Sequence, residues 1–361
     1  MTPARTRVAV VGAGIGGAAC ARWMADAGLA VEVFDKSRGV GGRMSTRRAT
    51  WIATDGTERL SHFDHGATGF TAHAPEFIRF VEQAAGDGLL SRWAPRVAPN
   101  SDAPPDASGL WVPTPDMPTL SRALLADLPL HTGCTVEALR RTNAGWTLEG
   151  RGSTIGEAFA AVVVAMPLPQ AAVLVRPHQA EWAQRAEAVG MLPGWVLMGV
   201  SDESAATSEW DLAWPVSGPV ASVVRNDAKP GREPVRGLAH WVVHATPEWS
   251  QTHLESPAAE VQAALQGALT AWLGHSLAWH HAVVHRWRYA SVHASVPRPA
   301  HAGAPSAVVT KDGCWWDSRT GLGVSADALG GAGVEGAWYS ARALADHITD
   351  QPPGSQTPCY A

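Results

Sequence analysis

The sequence predicts an α/β protein in which a parallel-sheet domain is interrupted by an inserted domain of antiparallel sheet and helix. A short apolar run, residues 8–11, precedes a glycine-rich turn, a helix-forming stretch and a second apolar run, residues 31–34. This order is typical of a parallel β-α-β unit. Further along, the amphipathic segment 258–273 predicts a helix. Apolar runs with strand character surround it at residues 192–200, 222–225, 238–245 and 283–289.

The composition excludes several classes of protein. Hydrophobic residues make up 46% of the 361 residues and charged residues 17%, so the chain can bury a large core and is not intrinsically disordered. The formal charge of −5 leaves no basic field for nucleic acid or an anionic membrane. No segment approaches the ~20 apolar residues of a membrane helix. The scattered cysteines predict neither a zinc site nor a disulfide framework, and they favour a reducing, cytoplasmic location.

The glycine-rich turn matches the G-x-G-x-x-G dinucleotide motif. Gly12 allows a tight turn, Gly14 lets the backbone approach a pyrophosphate, and Gly17 lets the helix pack closely on the strand. Asp35 ends the second strand at roughly the 20-residue spacing at which a carboxylate accepts hydrogen bonds from ribose hydroxyls. We therefore expect a Rossmann-like dinucleotide site. The alternative is a glycine-rich turn without a ligand.

A second glycine turn follows Asp35 directly. Residues 36–44 read Lys-Ser-Arg-Gly-Val-Gly-Gly-Arg-Met, where a plain NAD domain would begin its next helix. Gly42 allows another close approach of the backbone, and Arg43 can pair with phosphate oxygens. An ordinary basic loop is the alternative interpretation.

Three segments together resemble the flavin-containing amine oxidase superfamily. Residues 38–43 are similar to its R-x-x-G-G-R segment, which helps to hold FAD. Residues 63–71 resemble the F-D-x-G-A-Q-Y-F-T segment of its bacterial renalase-like branch, although Thr68 stands where Gln is usual. Residues 327–342 resemble the closing flavin motif, in which an Asp binds the ribitol and the next helix points its N-terminus at the isoalloxazine.

The resemblance implies noncovalent FAD. It also implies an architecture like that of the amine oxidases and of p-hydroxybenzoate hydroxylase, with discontinuous domains. The strand predicted at 132–137 is expected to touch the adenine through its backbone near Val136. The expected FAD-binding domain comprises residues 1–75, 112–170 and 300–350, the substrate domain 76–111 and 171–299, and a flexible tail 351–361. The predicted FAD-binding residues are Gly12, Ala13, Gly14, Ile15, Gly16, Gly17, Asp35, Lys36, Gly42, Arg43, Met44, His65, Gly66, Ala67, Val136, Asp327, Gly333, Val334 and Glu335.

The resemblance also implies an Asn, a His and a Trp near the flavin ring. By motif position these correspond to Asn226, His244 and Trp287, which we predict as catalytic residues. Trp287 can stack on a flat substrate ring, and Asn226 and His244 can hydrogen-bond a carboxamide or carbonyl. The alternatives are a core aromatic residue, a structural histidine and a turn-forming asparagine.

Other chemistries fit the sequence less well. No H-E-x-x-H motif accompanies the histidines near residue 280, and no G-x-S-x-G motif is present, so we expect neither a metal site nor a serine hydrolase. Cys314 is interpreted as a buried thiol and not as a flavin anchor. No lysine is a clear candidate for the one that many amine oxidases place near flavin N5; the chain offers Lys36, Lys229 and Lys311.

The resemblance implies an FAD-dependent oxidase that transfers hydride from a small organic donor to flavin N5, with O2 as acceptor and hydrogen peroxide as product. The implied donor is an isomeric dihydronicotinamide dinucleotide, 1,2- or 1,6-dihydro-NAD(P). The alternatives are a flavin amine or polyamine oxidase, a pyridine-nucleotide dehydrogenase that uses the first glycine turn for NAD, and a non-catalytic FAD-binding protein.

Overall fold

The computed structural model describes residues 5–99, 101–102, 109–203, 209–292 and 312–350. The chain divides by its packing into two compact units. Unit 1 consists of Met1–Gly42, Leu120–Met191 and Val292–Ala361, and unit 2 consists of Arg43–Thr119 and Leu192–Ser291. No helix in the described part of the chain is both long enough and apolar enough to cross a bilayer.

Strands and helices are interspersed along the described part of the chain. The strands are β1 (Arg7–Val11), β2 (Ala30–Phe34), β3 (Thr46–Ile52), β4 (Glu58–Asp64), β5 (Leu90–Trp93), β6 (Leu110–Pro113), β7 (Leu130–His131), β8 (Ala138–Thr142), β9 (Gly145–Gly150), β10 (Ser153–Phe159), β11 (Ala161–Ala165), β12 (Met191–Asp202), β13 (Leu212–Ala213), β14 (Val220–Arg225), β15 (Leu238–Ala245), β16 (Trp279–Val292), β17 (Trp315–Asp317) and β18 (Leu322–Ser325). The α-helices are α1 (Ile15–Asp26), α2 (Pro75–Gly86), α3 (Thr119–Leu124), α4 (Leu168–Val175), α5 (Ala180–Ala188), α6 (Pro247–Thr252), α7 (Ala258–Leu273), α8 (Asp327–Gly330) and α9 (Gly333–Asp350).

Unit 1 is built on a six-stranded sheet in the order β17-β18-β11-β1-β2-β7. Strand β1 pairs in parallel with β2 and with β11, so the β-α-β unit predicted around the first glycine turn is confirmed. Its apolar run does not alternate because both faces of the sheet are covered: Val8, Ala9 and Val10 are all fully buried. A second, antiparallel sheet, β10-β9-β8, shares its core through Trp146 and Phe159.

Unit 2 is built on a five-stranded sheet in the order β13-β14-β15-β12-β16. Strand β15 pairs antiparallel with both β12 and β14. Helix α7 packs its apolar stripe of Val261, Leu265 and Leu269 into the same core cluster as Trp241. It ends at Gly274, whose φ of 74° is the left-handed conformation that glycine favours at a helix end. The predicted antiparallel sheet with a helix beside it is confirmed.

The hairpin of β3 and β4 also belongs to unit 2. Its two strands pair antiparallel, and its inner face places Trp51 and Phe63 in a core cluster with Val196 and Met198 of β12. The sequence-based division assigns residues 43–75 to the FAD-binding domain, whereas these apolar contacts pack the hairpin with the second sheet. The predicted flexible tail at 351–361 lies outside the described residues.

The prediction of a strand at residues 132–137 is wrong. Regular strands lie on either side of it, as β7 and β8. The N–H of Gly133 donates to the carbonyl of Ser37, and the N–H of Cys134 donates to the carbonyl of Asp35. Because these backbone groups bond to the loop after β2, they do not form a strand ladder.

Candidate functional site

The two glycine turns of unit 1 lie against each other. The N–H of Gly41 donates to the carbonyl of Ala13 at 2.9 Å, and Gly14 forms a short parallel bridge with Gly41. A Cβ on Gly42 would lie 3.4 Å from the Cα of Gly14. The turns therefore present one continuous surface of backbone, the kind of surface that a pyrophosphate can approach.

The first turn has no room for side chains at two of its glycines. Gly12 has a φ of 116°, and a Cβ there would lie 2.1 Å from the carbonyl oxygen of Ala165. A Cβ on Gly17 would lie 1.9 Å from the carbonyl oxygen of Gly12. Helix α1 begins directly behind this turn at Ile15, and no side chain caps its first N–H groups. Those donors are oriented to receive an anion, so this cradle fits a nucleotide cofactor.

Asp35 joins the two turns. One carboxylate oxygen accepts the N–H of Ala13 at 2.7 Å, and the other accepts the N–H of Ser37 at 2.7 Å. A carboxylate has about four lone-pair positions, so both oxygens keep acceptor capacity for ribose hydroxyls. Asp35 is half-buried, and Lys36 beside it is exposed.

Val136 lies on the segment that runs past Asp35. Its side chain packs partly buried against the core of unit 1. Within the described residues, its own N–H and carbonyl have no backbone partner, whereas the N–H of the next residue, Glu137, donates to the carbonyl of Glu149 at 2.7 Å. An unpaired peptide group at this position suits the edge of an adenine ring.

We expect Asp35→Ala to weaken flavin retention. The variant loses both hydrogen bonds that hold the turns together and the acceptor that would match a ribose. The flavin-to-protein ratio after gel filtration measures the effect, and we expect flavin affinity to fall by about tenfold or more. Asp26→Ala is the control, because this exposed carboxylate pairs with Arg22 on the surface of α1. Full flavin occupancy in Asp35→Ala would contradict the role assigned to this residue.

The closing motif of unit 1 brings a buried carboxylate residue next to a helix N-terminus. Asp327 is 4% exposed, and its carbonyl accepts the N–H of Ala332 at 2.7 Å. Ala332 and Gly333 follow with φ values of 70° and 68°, and this left-handed turn leads into α9. A Cβ on Gly16 would lie 3.1 Å from the carbonyl of Ala337, so the first turn of α1 packs closely on α9. Val334 and Glu335 are half-buried in the first turn of α9.

Unit 2 begins with the end of the second glycine turn. The carbonyl of Arg43 accepts the N–H of Ala67 at 2.9 Å, and a Cβ on Gly66 would lie 1.9 Å from that same carbonyl oxygen. The Arg43 guanidinium donates to the carbonyl of Ala290 at 3.5 Å, and Met44 is buried. The predicted flavin residues on either side of β3–β4 are therefore in direct contact.

Asn226 bonds the backbone of residues 62–66, which we call the 62–66 segment. Its side-chain oxygen accepts the N–H of Asp64 at 3.1 Å, and its side-chain nitrogen donates to the carbonyl of His62 at 3.0 Å. The residue is 2% exposed. Its amide thus pairs with the segment as a neighbouring strand would.

His244 and Trp287 hold the other end of the same segment. His244 Nε2 lies 3.0 Å from the carbonyl of Gly66, and its Nδ1 lies 3.2 Å from the Ser222 hydroxyl. The Trp287 indole N–H donates to the carbonyl of His65 at 2.8 Å, and its ring stacks on the His65 imidazole at 5.1 Å. All three predicted catalytic residues therefore meet at one segment; their contact with substrate stays a prediction.

The histidines at this segment are held neutral. Burial lowers the pKa of His244 to about 4, and because a carbonyl can only accept, its proton sits on Nε2 and faces Gly66. Burial, followed by the charges of His285 and Arg47, lowers the pKa of His65 to about 4. At neutral pH neither imidazole is a cation, so neither supplies a positive charge to a bound molecule.

These two pKa values predict a loss of stability in acid. The unfolded histidines have pKa values of about 6.5, so between about pH 6.5 and pH 4 the unfolded chain binds more protons and the free energy of unfolding falls as pH falls. We expect a loss of about 2 kcal/mol for each histidine between pH 7 and pH 5, measured by urea unfolding. His244→Gln keeps a donor for Gly66 and should flatten this pH dependence. An unchanged pH dependence in that variant would contradict the assignment.

A buried ionic cluster centred on Asp64 of the 62–66 segment was not predicted from local sequence patterns. We call it the Asp64 cluster. The Asp64 carboxylate accepts from Lys229 Nζ at 2.6 Å, from Arg232 at 2.7 Å and from the Thr46 hydroxyl at 2.6 Å. The Asp64 and Lys229 side chains are fully buried. Lys229 and Arg232 stand in a Lys-Pro-Gly-Arg turn, a sequence typical of the surface. Only the position of Asp64 at the end of a strand inside a recognised motif hinted at burial.

The Asp64 cluster contains more cations than anions, because Lys229 and Arg232 share the single carboxylate of Asp64. Burial on its own would raise the pKa of Asp64, but Lys229 and Arg232 outweigh it and hold that pKa below its ordinary value. Burial, with repulsion from Arg232, lowers the pKa of Lys229 to about 8. Lys229 is held in an ion pair with Asp64.

The remaining candidate residues differ in their surroundings. Cys314 is 4% exposed, and Lys311 falls outside the described residues. His280 pairs with Asp202 at 2.7 Å, whereas His285 faces His65 at 4.8 Å between ring centres. In the part of the chain that the structure describes, no group of three or more His, Cys, Asp or Glu side chains is arranged to hold a metal ion.

Comparison with known proteins defines the class to which this fold and site belong. Residues 10–84 match the model of an NAD(P)-binding Rossmann-like domain. Residues 96–349, more than half of the chain, match the model of the flavin containing amine oxidoreductases. The chain belongs to the flavin-containing amine oxidoreductase family, and membership of this family implies a flavin cofactor and an oxidoreductase activity.

Individual relatives are more distant. Cyclohexylamine oxidase from Brevibacterium oxydans IH-35A is similar in fold, with a TM-score of 0.66 and 12% identity over 96% of this chain and 99% of that one. A redesigned putrescine oxidase has a TM-score of 0.64 and 13% identity over 96% of this chain and 100% of its own. The bifunctional tRNA 5-methylaminomethyl-2-thiouridine biosynthesis protein MnmC of Magnetococcus marinus is 29% identical over 194 residues, 44% of this chain. That match spans 29% of the relative's length.

Proposed function

We propose that this chain is an oxidase with noncovalent FAD that takes a hydride from a small organic donor, an isomeric dihydronicotinamide dinucleotide. The observation that carries the proposal is that the two histidines in or bonded to the 62–66 segment, His65 and His244, are weak bases. His65 and His244 both have pKa values of about 4 because they are buried. Lys229 is held in an ion pair with Asp64. A dihydronicotinamide gives up a hydride without first losing a proton, so it needs no base.

The residues of unit 1 fit FAD. The two glycine turns would receive the pyrophosphate, Asp35 a ribose, the Val136 backbone the adenine, and Asp327 the ribitol. The N-terminus of α9 offers its positive end to an electron-rich ring edge. When bound, the flavin supplies a hydride acceptor at N5 that O2 reoxidises to give hydrogen peroxide. The burial of Cys314 supports noncovalent attachment.

The residues of unit 2 would position a substrate and not exchange protons with it. Asn226, His244 and Trp287 fix the backbone of the 62–66 segment. The Trp287 ring stacks on the His65 imidazole, and the face of Trp287 turned away from His65 would suit a flat ring such as nicotinamide. An amine oxidase is the second candidate, because two proteins of similar fold are named for amine substrates.

Anaerobic mixing of the purified protein with candidate donors tests the proposal. We expect 1,2- or 1,6-dihydro-NAD(P) to bleach the flavin absorbance within one turnover, and air to restore it with release of hydrogen peroxide. Putrescine, cyclohexylamine and ordinary NADH serve as comparison donors. Rapid bleaching by the amines with none by the dihydronicotinamide isomers would replace the proposed function with amine oxidation.

A further inference from the structure

Arg47 is a half-buried cation without a counter-charge in the described part of the chain. It lies on β3 opposite Phe63 of β4, on the strand face that also carries Trp51. Among the described residues its guanidinium has no hydrogen bond and no ion pair. Two other arginines of unit 2 with largely buried side chains have carboxylate partners: Arg232 pairs with Asp64, and Arg225 with Asp227.

Three imidazoles lie within reach of the Arg47 charge. Burial, and then this charge, lowers the pKa of both His281 and His285, and the same charge acts on His65. The lowering of the pKa of His281 and of His285 has burial and Arg47 as its causes, with no carboxylate among them. Arg47 is therefore a cation whose nearby ionisable groups are neutral imidazoles. A bound anion would stabilise its charge.

Two of these imidazoles have nitrogen atoms without a partner. His65 is 7% exposed, and its Nδ1 is buried without a hydrogen bond among the described residues; the same holds for Nε2 of His281. The His285 ring meets His65 edge-on at 4.8 Å and Trp287 at 4.6 Å. Buried polar atoms of this kind are normally hydrogen-bonded, and a ligand with polar groups would satisfy them.

We propose that Arg47, His281 and His285 bind a phosphate oxyanion carried by the substrate, beside the stacked rings of His65 and Trp287. The inference rests on the proposed function and deepens it: the substrate of this site is an anionic compound with a flat ring. A guanidinium pairs with phosphate or carboxylate through two parallel hydrogen bonds. The same charge repels the ammonium group of a free amine.

Anion binding to the holoprotein tests this inference without turnover. Inorganic pyrophosphate and NAD⁺, which cannot reduce the flavin, are titrated against wild type, Arg47→Met and Arg48→Met by calorimetry. Arg48 is the matched control, because it is the exposed neighbour on the opposite face of β3. We expect Arg47→Met to bind both probes about tenfold or more weakly and Arg48→Met to bind within about twofold of wild type. Flavin content should be equal in all three proteins.

Three results would overturn the inference. These are a wild type that binds neither probe, an Arg47→Met variant that binds as wild type does, and an Arg47→Met variant whose flavin content falls, which would assign the anion to the cofactor's own phosphates. His281→Ala is the second variant should Arg47→Met fail to fold, and unchanged probe binding there would also count against the site. A wild type that binds the probes through Arg47 but is not reduced by dihydronicotinamides would refute the proposed function alone.

Discussion

Asp64→Asn is expected to lower the free energy of unfolding by about 3–5 kcal/mol, because it leaves two buried cations without their shared anion. Asp64 accepts hydrogen bonds from Lys229, Arg232 and Thr46, and an amide carries no charge to offset the two cations. Removal of one cation is expected to cost less. Lys229→Met leaves Asp64 paired with Arg232, a neutral pair, and should cost under about 2 kcal/mol.

Urea unfolding of the single and double variants measures this difference. In the double variant Asp64→Asn with Lys229→Met, a single buried cation remains, so part of the lost stability should return. Glu58→Gln is the control on the same strand, because this side chain is exposed. Equal costs for Asp64→Asn and Lys229→Met, or strict additivity in the double variant, would contradict an excess of cations in the Asp64 cluster.

Gly17→Ala is expected to be the most damaging change at the nucleotide turn. The new Cβ would lie 1.9 Å from the carbonyl oxygen of Gly12, and a backbone oxygen cannot rotate away as a side chain can. Either α1 moves off β1 or the turn deforms, at a cost of about 3 kcal/mol or more. Both movements disturb the surface that would receive the pyrophosphate, so flavin content should fall together with stability.

Gly39→Ala is the matched control for this substitution. A Cβ on Gly39 would meet nothing within 4 Å, and this glycine lies in the second glycine turn. We expect it to keep both flavin content and the midpoint of thermal unfolding. Retention of flavin at the wild-type level in Gly17→Ala would show that the close approach of α1 to the turn is not needed for binding.

The elements that were predictable from the sequence are those with a local cause. An apolar run without alternation, followed by glycines at fixed spacing, defines β1, the first turn and α1, and the amphipathic stripe of Val261, Leu265 and Leu269 defines α7. The predicted strand at 132–137 failed because hydrogen bonds from Gly133 and Cys134 to a distant loop override local propensity.

The candidate site was predictable in its members but not in their contacts. Motif position brings together Asn226, His244 and Trp287, yet only the fold shows that their polar atoms bond the backbone of the 62–66 segment. The burial of Lys229 depends on Asp64, which is far away in sequence. Arg47 was one basic residue among several, and its lack of a counter-charge among the described residues becomes visible only when its neighbours are known.

Identification of the molecule that copurifies with the chain is the decisive test for a flavin protein. The protein is denatured by heat, and the supernatant and pellet are analysed separately for flavin by absorbance and mass. We expect FAD in an amount equimolar with the chain, released into the supernatant and absent from the pellet. A colourless protein that also fails to take up added FAD would contradict this expectation.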